Sequence, residues 1–364
     1  MRTMKIVTVI CWLVAAAALA GLAIWFLTGT VFGFRRDTGA FSWSPGYSIG
    51  GWERLTGPYE PVGTYSVGTG GVDSLNVDWV SGDVTIKPHG GNDIMITEFA
   101  QRALRDEEKL RFNISGDTLN IKFRENGYIG ISPQKKLEVL IPSRLCESMN
   151  AFAVDSASGR LYINDIKADR VRTESVSGSI HLENISARAF DVISASGSIT
   201  ITAAQAGDLK IDSVSGSVKL SDSAAGTLNC EAASGSITVS GVFDDAKLET
   251  VSGRIAFDNS ATTSVLRANT ASGSLDLSGS FDKADVESVS GSVSIKSAVV
   301  PATIKVETAS GGITVAIPDE GAVSVRHSTM SGRFSSDIPV TMQGRDAQFD
   351  LSTVSGSIKI VALG

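Results

Sequence analysis

Ser213-Val214-Ser215-Gly216-Ser217-Val218 decides how this chain folds, because versions of it recur from Ala157-Ser158-Gly159 to Val354-Ser355-Gly356. In the centre of the array the glycines stand at Gly159, Gly178, Gly197, Gly216, Gly235, Gly253, Gly273, Gly291 and Gly311. Successive spacings are 19, 19, 19, 19, 18, 20, 18 and 20 residues. Gly332 and Gly356 follow at looser intervals, and Gly82 carries an outlying copy. A fixed period of this length is the signature of a solenoid.

Columns around the glycine say which positions face inward. Seven before it stand Phe152, Val171, Phe190, Leu209 and Leu228. Two after it stand Leu161, Ile180, Ile199, Val218 and Ile237, and four after it Ile163, Leu182, Ile201, Leu220 and Val239. These columns are apolar, and burying one such side chain is worth about 1.5–3 kcal/mol. One repeat cannot bury its own apolar face, so neighbours must stack. The inward positions are odd before the glycine and even after it. A strand has period two, so this phase change requires a bulge or corner, and glycine supplies the unusual φ. The fold expected is all-β: a solenoid of about 19-residue repeats. Its corners are Gly82, Gly159, Gly178, Gly197, Gly216, Gly235, Gly253, Gly273, Gly291, Gly311, Gly332 and Gly356.

Stacked corners would align Ser158, Ser177, Ser196, Ser215 and Ser234, whose hydroxyls are expected to satisfy corner backbone groups or one another. The residue before Ser-Gly alternates strictly: Ala157, Val176, Ala195, Val214, Ala233, Val251. A 19-residue coil with small and large residues alternating up one stack fits this. So does a 38-residue coil with two stacks; the shorter coil suits short strands better. Four positions before the glycine stand acids such as Asp155, Glu174, Asp212 and Glu231, and six before it bases such as Arg172, Lys210 and Lys247. They read as adjacent, mutually compensating ladders on a solvated face. Cys230 occupies the column of Val192 and Ile211 and reads as a small core residue. His327 also falls in a core column, as a packed imidazole.

Ile6 to Leu27 carries no charge, which is long enough to cross a bilayer, with Arg2 and Lys5 before it and Arg35 and Arg36 after. A cleaved signal peptide is the rival reading, since Ala18-Leu19-Ala20 fits its cleavage rule. The apolar run continues past that point and favours an uncleaved signal-anchor. The expected organisation is a short cytoplasmic N-terminus, 1–5; one transmembrane helix, 6–28; a Gly/Pro/aromatic linker, 29–72; an irregular β-cap, 73–150; and the solenoid, 151–364. In the cap, Leu75, Val77 and Trp79 share a strand face. Gly90-Gly91-Asn92-Asp93 turns the chain into a returning strand through Ile94 and Ile96. Residues 110–123 read as a hairpin, and Leu137, Val139 and Ile141 as a strand stopped by Pro142. No polar cap follows Ile358 and Ile360, so the last rung is expected to be covered by the Asp337–Ala347 insertion or by a partner subunit.

The net charge of −7 argues against a nucleic-acid partner. Three cysteines are too few for a disulfide framework. Every repeat carries a serine with no recurring His or Asp beside it, so no catalytic, cofactor-binding or metal-ligating set is expected, and no cofactor.

Val77-Asp78-Trp79-Val80-Ser81-Gly82-Asp83-Val84-Thr85-Ile86, then Ile94 to Glu98, then Lys136 to Pro142, then repeated Val-Ser-Gly-Ser-Ile, resembles the bacterial "putative adhesin" family of β-strand-repeat proteins, which includes LiaG-like membrane proteins. The similarity covers residues 65 to 364. It implies a right-handed β-helix-like solenoid, commonly tethered to the bacterial membrane, without enzymatic activity. The expectation is a non-catalytic, membrane-anchored envelope protein, its C-terminal body extracytoplasmic, presenting a rigid β-surface to a protein or wall polymer. An accessory of an envelope-stress system is the alternative the resemblance suggests. A carbohydrate-active β-helix enzyme is a third reading, disfavoured because the acids follow the repeat register.

Overall fold

The structure, a computed structural model, describes residues 57–125, 133–341 and 347–363. The expected transmembrane segment, 6–28, lies outside the described residues. Among those described, no helix is long and apolar enough to cross a membrane.

The chain is a β-solenoid with a spacing of about 19 residues, and Ile180–Ser196 shows how one coil is built. It pairs in parallel with Leu161–Ser177 on one side and with Ile199–Thr202 and Gln205–Ser215 on the other. Ile180 meets Ile199 and Phe190 meets Leu209. Gly178 therefore lies one rung from Gly197, and one coil holds 19 residues rather than 38. The ladder skips Asn184, Arg188 and Ala195, so each coil is three straight segments joined at three bends. The apolar columns of the sequence point inward; Phe190, Ile180, Leu182 and their stacked equivalents as far as the coil of Gly356 are at most 2% exposed, and in the outer rung Val325 is still buried while Phe334 is half-buried. Cys230 is fully buried in its column, and burial pushes its thiol well above the usual range.

The corner glycine is demanded twice over. Gly178, Gly197 and Gly235 sit at φ +157°, +148° and +146°, where other residues are strained. A Cβ on Gly216 would also stand 2.1 Å from the carbonyl oxygen of Gly197 on the rung below. The expected serine ladder is corrected by one turn of the pleat. Ser177, Ser196, Ser215 and Ser234 do stack, but they are exposed. The inward hydroxyls belong to Ser175, Ser194 and Ser213, which donate to the carbonyls of Gly178, Gly197 and Gly216 at 3.2–3.3 Å. The phase switch falls after this position, so the residue next to the glycine already points out.

A second corner lies six residues after the glycine. There Asp165, Asn184, Ala203 and Asp222 take φ of 52–57°, and Asn184 Nδ2 donates to Asp165 Oδ1 at 2.6 Å.

Both ends are interleaved. The first coil, Ser74–Ser81 with Val84–His89, stacks on Met149–Ser158 and the start of Leu161–Ser177. On its other side lie Thr118–Lys122 and Lys135–Pro142, later in sequence yet further out. Asp93–Ala100 consequently does not return upon Val84–His89; it pairs antiparallel with Lys135–Pro142, which lies between them. Glu60–Gly68, within the stretch expected to be linker, adds a further antiparallel strand. The cap thus begins near Glu60 rather than at 73. The hairpin Arg111–Ser115/Thr118–Lys122 forms as expected.

At the other end, Gln348–Ser355 lies between Thr303–Ser310 and Val323–Ser331, and Ile358–Leu363 between Ile313–Pro318 and Phe334–Ser336. The glycine column accordingly runs Gly311, Gly356, Gly332. The last coil of the chain is an inner rung, and the outer rung is the one before it. Part of the insertion does cover that rung: Ile338 is buried, and Val340–Thr341 pair with Val323 and Ser324. His327, in the outer rung, is half-buried rather than enclosed, with its ring on Phe334 at 3.9 Å between centroids.

Candidate functional site at the N-terminal cap

Alternation along Lys135–Pro142 sends Lys135, Leu137 and Val139 inward, and Lys136 and Glu138 outward. Along Asp93–Ala100 the same alternation sends Ile94, Ile96 and Glu98 inward. The two polar intruders meet. Lys135 Nζ lies 2.6 Å from Glu98 Oε1, and both side chains are fully buried. Lys135 also donates to the carbonyls of Glu108, at 2.6 Å, and Phe123. Its ammonium sits 3.9 Å from the centre of the Phe123 ring. Burial lowers the Lys135 pKa to about 8, against the opposing pull of Glu98. Burial likewise raises Glu98, although Lys135 and the Leu110 amide stabilise its charge. Glu108 extends the network outward: its carboxylate, held well below the usual range chiefly by hydrogen bonds from Arg102, also takes bonds from Arg105. This cluster plugs the end of the core. Its inner members, Glu98, Glu108 and Lys135, are fully buried.

The outward residues of the same strands form the candidate site. A groove of about 310 Å³ is lined by Tyr59, Asp83, Thr85, Phe99, Lys136, Leu137, Glu138 and Tyr162. Strand order places them: Glu138, Thr85 and Tyr162 are opposite one another across three parallel strands, and Phe99 is opposite Lys136. Asp83 follows the predicted corner Gly82, and none of the predicted corner glycines is itself among the lining residues; they stack on one another along the solenoid.

Charges in the groove are paired. Arg160 grips Asp83 through its backbone amide at 3.2 Å and its guanidinium at 3.3 and 3.0 Å, and Lys136 stands 3.7 Å away. Burial works to raise the Asp83 carboxyl, but these contacts outweigh it and hold it below its usual range. Glu138 pairs with Lys87 at 2.9 Å. Burial, then the Asp83 charge, raises the Tyr59 phenol. Lys136 Nζ lies 4.5 Å from the Tyr59 ring centre. On the next rung His181 stacks on Tyr162, with centroids 5.0 Å apart and planes 9° from parallel.

The groove is not legible in the sequence, because its parts come from four strands and from two positions outside them, Tyr59 and Asp83, and no local motif joins them. The signal for the buried pair was present: Glu98 and Lys135 are in phase with Ile96 and Leu137. Among the described residues, no group of three or more His, Cys, Asp or Glu is placed to hold a metal ion.

Long parallel ladders, a glycine corner in every coil and a mixed antiparallel cap define a β-solenoid repeat protein. The chain belongs to the Toastrack DUF4097 family, whose profile matches residues 72–240 and again residues 199–361. Among solved structures it is similar to a putative adhesin from Parabacteroides distasonis, at 12% identity over 84% of this chain and 98% of the other, with a TM-score of 0.38. A putative adhesin from Bacteroides fragilis shares 15% identity over 82% and 95%, with a TM-score of 0.28. One from Parabacteroides merdae shares 10% over 82% and 95%, with a TM-score of 0.36. No curated protein matches the chain.

Proposed function

We propose that the protein is a non-catalytic component of a bacterial cell envelope, anchored through residues 6–28, whose extracytoplasmic solenoid holds a wall polymer. The observation that carries this reading is the placement of the acids. Asp212, Glu249 and Glu307 each sit in the stacking register beside Lys210, Lys247 and Lys305, at 2.7, 2.9 and 3.1 Å. Glycoside hydrolysis needs two carboxyl groups, one of them kept protonated to act as the acid. In the groove, Asp83 is held ionised and Glu138 is engaged by Lys87, which suits binding better than acid catalysis. The uncharged run Ile6–Leu27 supplies the anchor. The solenoid is taken as right-handed, the hand that nearly all parallel strand connections adopt.

Cosedimentation of the detergent-solubilised full chain with purified sacculi tests this, together with protease treatment of intact cells. Retention on sacculi and cleavage from outside are expected. A chain that stays in the supernatant, or a body protected in intact cells, would falsify the proposal.

A further inference from the structure

We infer that the outer rung at the C-terminal end docks a second copy of this chain, the edge 325–329 of each pairing antiparallel with the other about a two-fold axis. This goes beyond the wall-polymer reading and does not rest on it.

The direction of the hydrogen bonds defines the free edge. A residue in a strand sends its N–H and C=O to the same side, and successive residues alternate. Ser324 donates to Ala347, on the side of the array, and Val323 donates to Pro339, on the outer side. Val325, His327 and Thr329 therefore present their N–H and C=O groups outward. Among the described residues the outer strand Val340–Thr341 pairs only as far as Ser324, so nothing there meets these three.

Edges are usually blunted by charges, proline, bulges or shortness. The other end of the molecule is blunted in these ways. Glu60–Gly68 carries Glu60, Pro61 and a register shift between Pro61 and Gly63, and Arg111–Ser115 has five residues. Val323–Ser331 has nine residues, no proline and one acid or base besides its histidine, Arg326.

The occupant follows from what this rung needs. An extended peptide would satisfy the backbone groups but leave the end of the core bare, where His327 and Phe334 are half-buried. A body with a coil of the same cross-section continues those inward columns, and this chain supplies one. A two-fold axis perpendicular to the sheet keeps the inward faces on one side. It matches free groups to free groups when His327 meets either His327 or Thr329 of the second copy. Arg326 then lies opposite Ser328 or Met330 of the second copy, never another Arg326, and it has Asp350 of its own chain at 3.5 Å. Met330 and Val340, 79% and 40% exposed, stand at opposite ends of the free stretch, so antiparallel pairing brings one against the other. An isologous contact of this kind closes at two copies.

The test is sedimentation velocity on the detergent-solubilised full chain over a range of concentrations, with amide exchange at each. A monomer–dimer equilibrium is expected, with exchange in peptides covering 325–329 slowing as the dimer fills. His327→Pro removes an outward N–H from each copy and no bond to the array, and should weaken the dimer about fivefold or more. Ser328→Lys, at an exposed position, sets like charges opposite one another in either register. It should weaken the dimer about twofold or more, and it serves if His327→Pro does not fold. Four results would overturn the inference outright: a chain that stays monomeric throughout, an open series of larger species, a dimer that leaves exchange at 325–329 unchanged, or folded variants that dimerise as the parent does. Protection of 325–329 already present in the dilute monomer would do so too, since another part of the chain would then cover the edge.

Discussion

Three neighbouring residues at one corner differ sharply in what they contribute. Gly216 has no room for a Cβ, which would meet the Gly197 carbonyl at 2.1 Å. Ser213 is buried and bonds the Gly216 carbonyl at 3.2 Å. Ser215 is exposed. Gly216→Ala should therefore cost at least about 2 kcal/mol, by forcing strain into the stack. Ser213→Ala should cost about 1 kcal/mol, and Ser215→Ala less than about 0.5 kcal/mol. Urea unfolding of the three variants checks the ranking; an equal cost for both serines would contradict it. The second corner allows a gain. Ala203 holds φ 56° without a side chain that favours it, a conformation costing about 1–2 kcal/mol. Ala203→Asn should raise stability by roughly 0.5–1 kcal/mol, since Asn tolerates this region and Asn184 already occupies it one rung below. The first corner was legible because glycine is nearly obligatory there. The second was not, because Asp, Asn, Ala and Gly all serve at it and leave no single letter to follow.

Strands carry the buried charge. Glu98 and Lys135 lie on antiparallel neighbours and close the core at the cap. Removing one partner leaves the other charged in an apolar surround, so Glu98→Gln or Lys135→Met alone should cost about 3–5 kcal/mol. The double replacement should cost far less, because an apolar pair of similar volume is often neutral. Thermal unfolding of the four proteins gives the coupling, and additive costs would contradict it. The pair also sets a pH dependence. Lys135 is lowered in the folded state, to about 8, from 10.5. Between those values the unfolded chain binds the proton more tightly, so stability rises as pH climbs through the window. The parent should gain stability relative to the double variant from pH 8 to pH 10, read from paired melting curves. Both residues were visible as inward positions of alternating strands. What the alternation could not supply was their pairing, which depends on Lys135–Pro142 settling between Asp93–Ala100 and Val84–His89.

At the scale of the molecule, the interleaved ends make neighbouring coils depend on one another. Repeat arrays are held by nearest-neighbour contacts, and among the described residues Val323–Ser331 meets the array through its pairing with Gln348–Ser355. Truncation after residue 346 should therefore remove more than the last coil. Amide exchange should show protection lost from 323–336 as well, while Thr303–Ser310 keeps its bonds to the coil below. Persistent protection at 323–331 in the truncated chain would mean that the outer rung docks by itself. Periodicity revealed the repeat and the apolar columns of the central coils, because those are local, and it favoured the 19-residue coil over one of 38 without deciding between them. It was silent on the order of stacking at the ends, where a loop of ordinary length lets the chain step over one rung and come back.

That step has a consequence for extraction. An unfoldase that grips the C-terminus of a simple array peels an edge strand, one row of hydrogen bonds at a time. Here the strand leading to Leu363 is bonded on both sides, to Ile313–Pro318 and to Phe334–Ser336, and the first coil is clasped in the same way. Pulling from the C-terminus must therefore slide a rung out from between two others, whereas on the N-terminal side the edge strand Glu60–Gly68, paired to Asp93–Ala100, comes away first, so the two tails differ in how they resist threading.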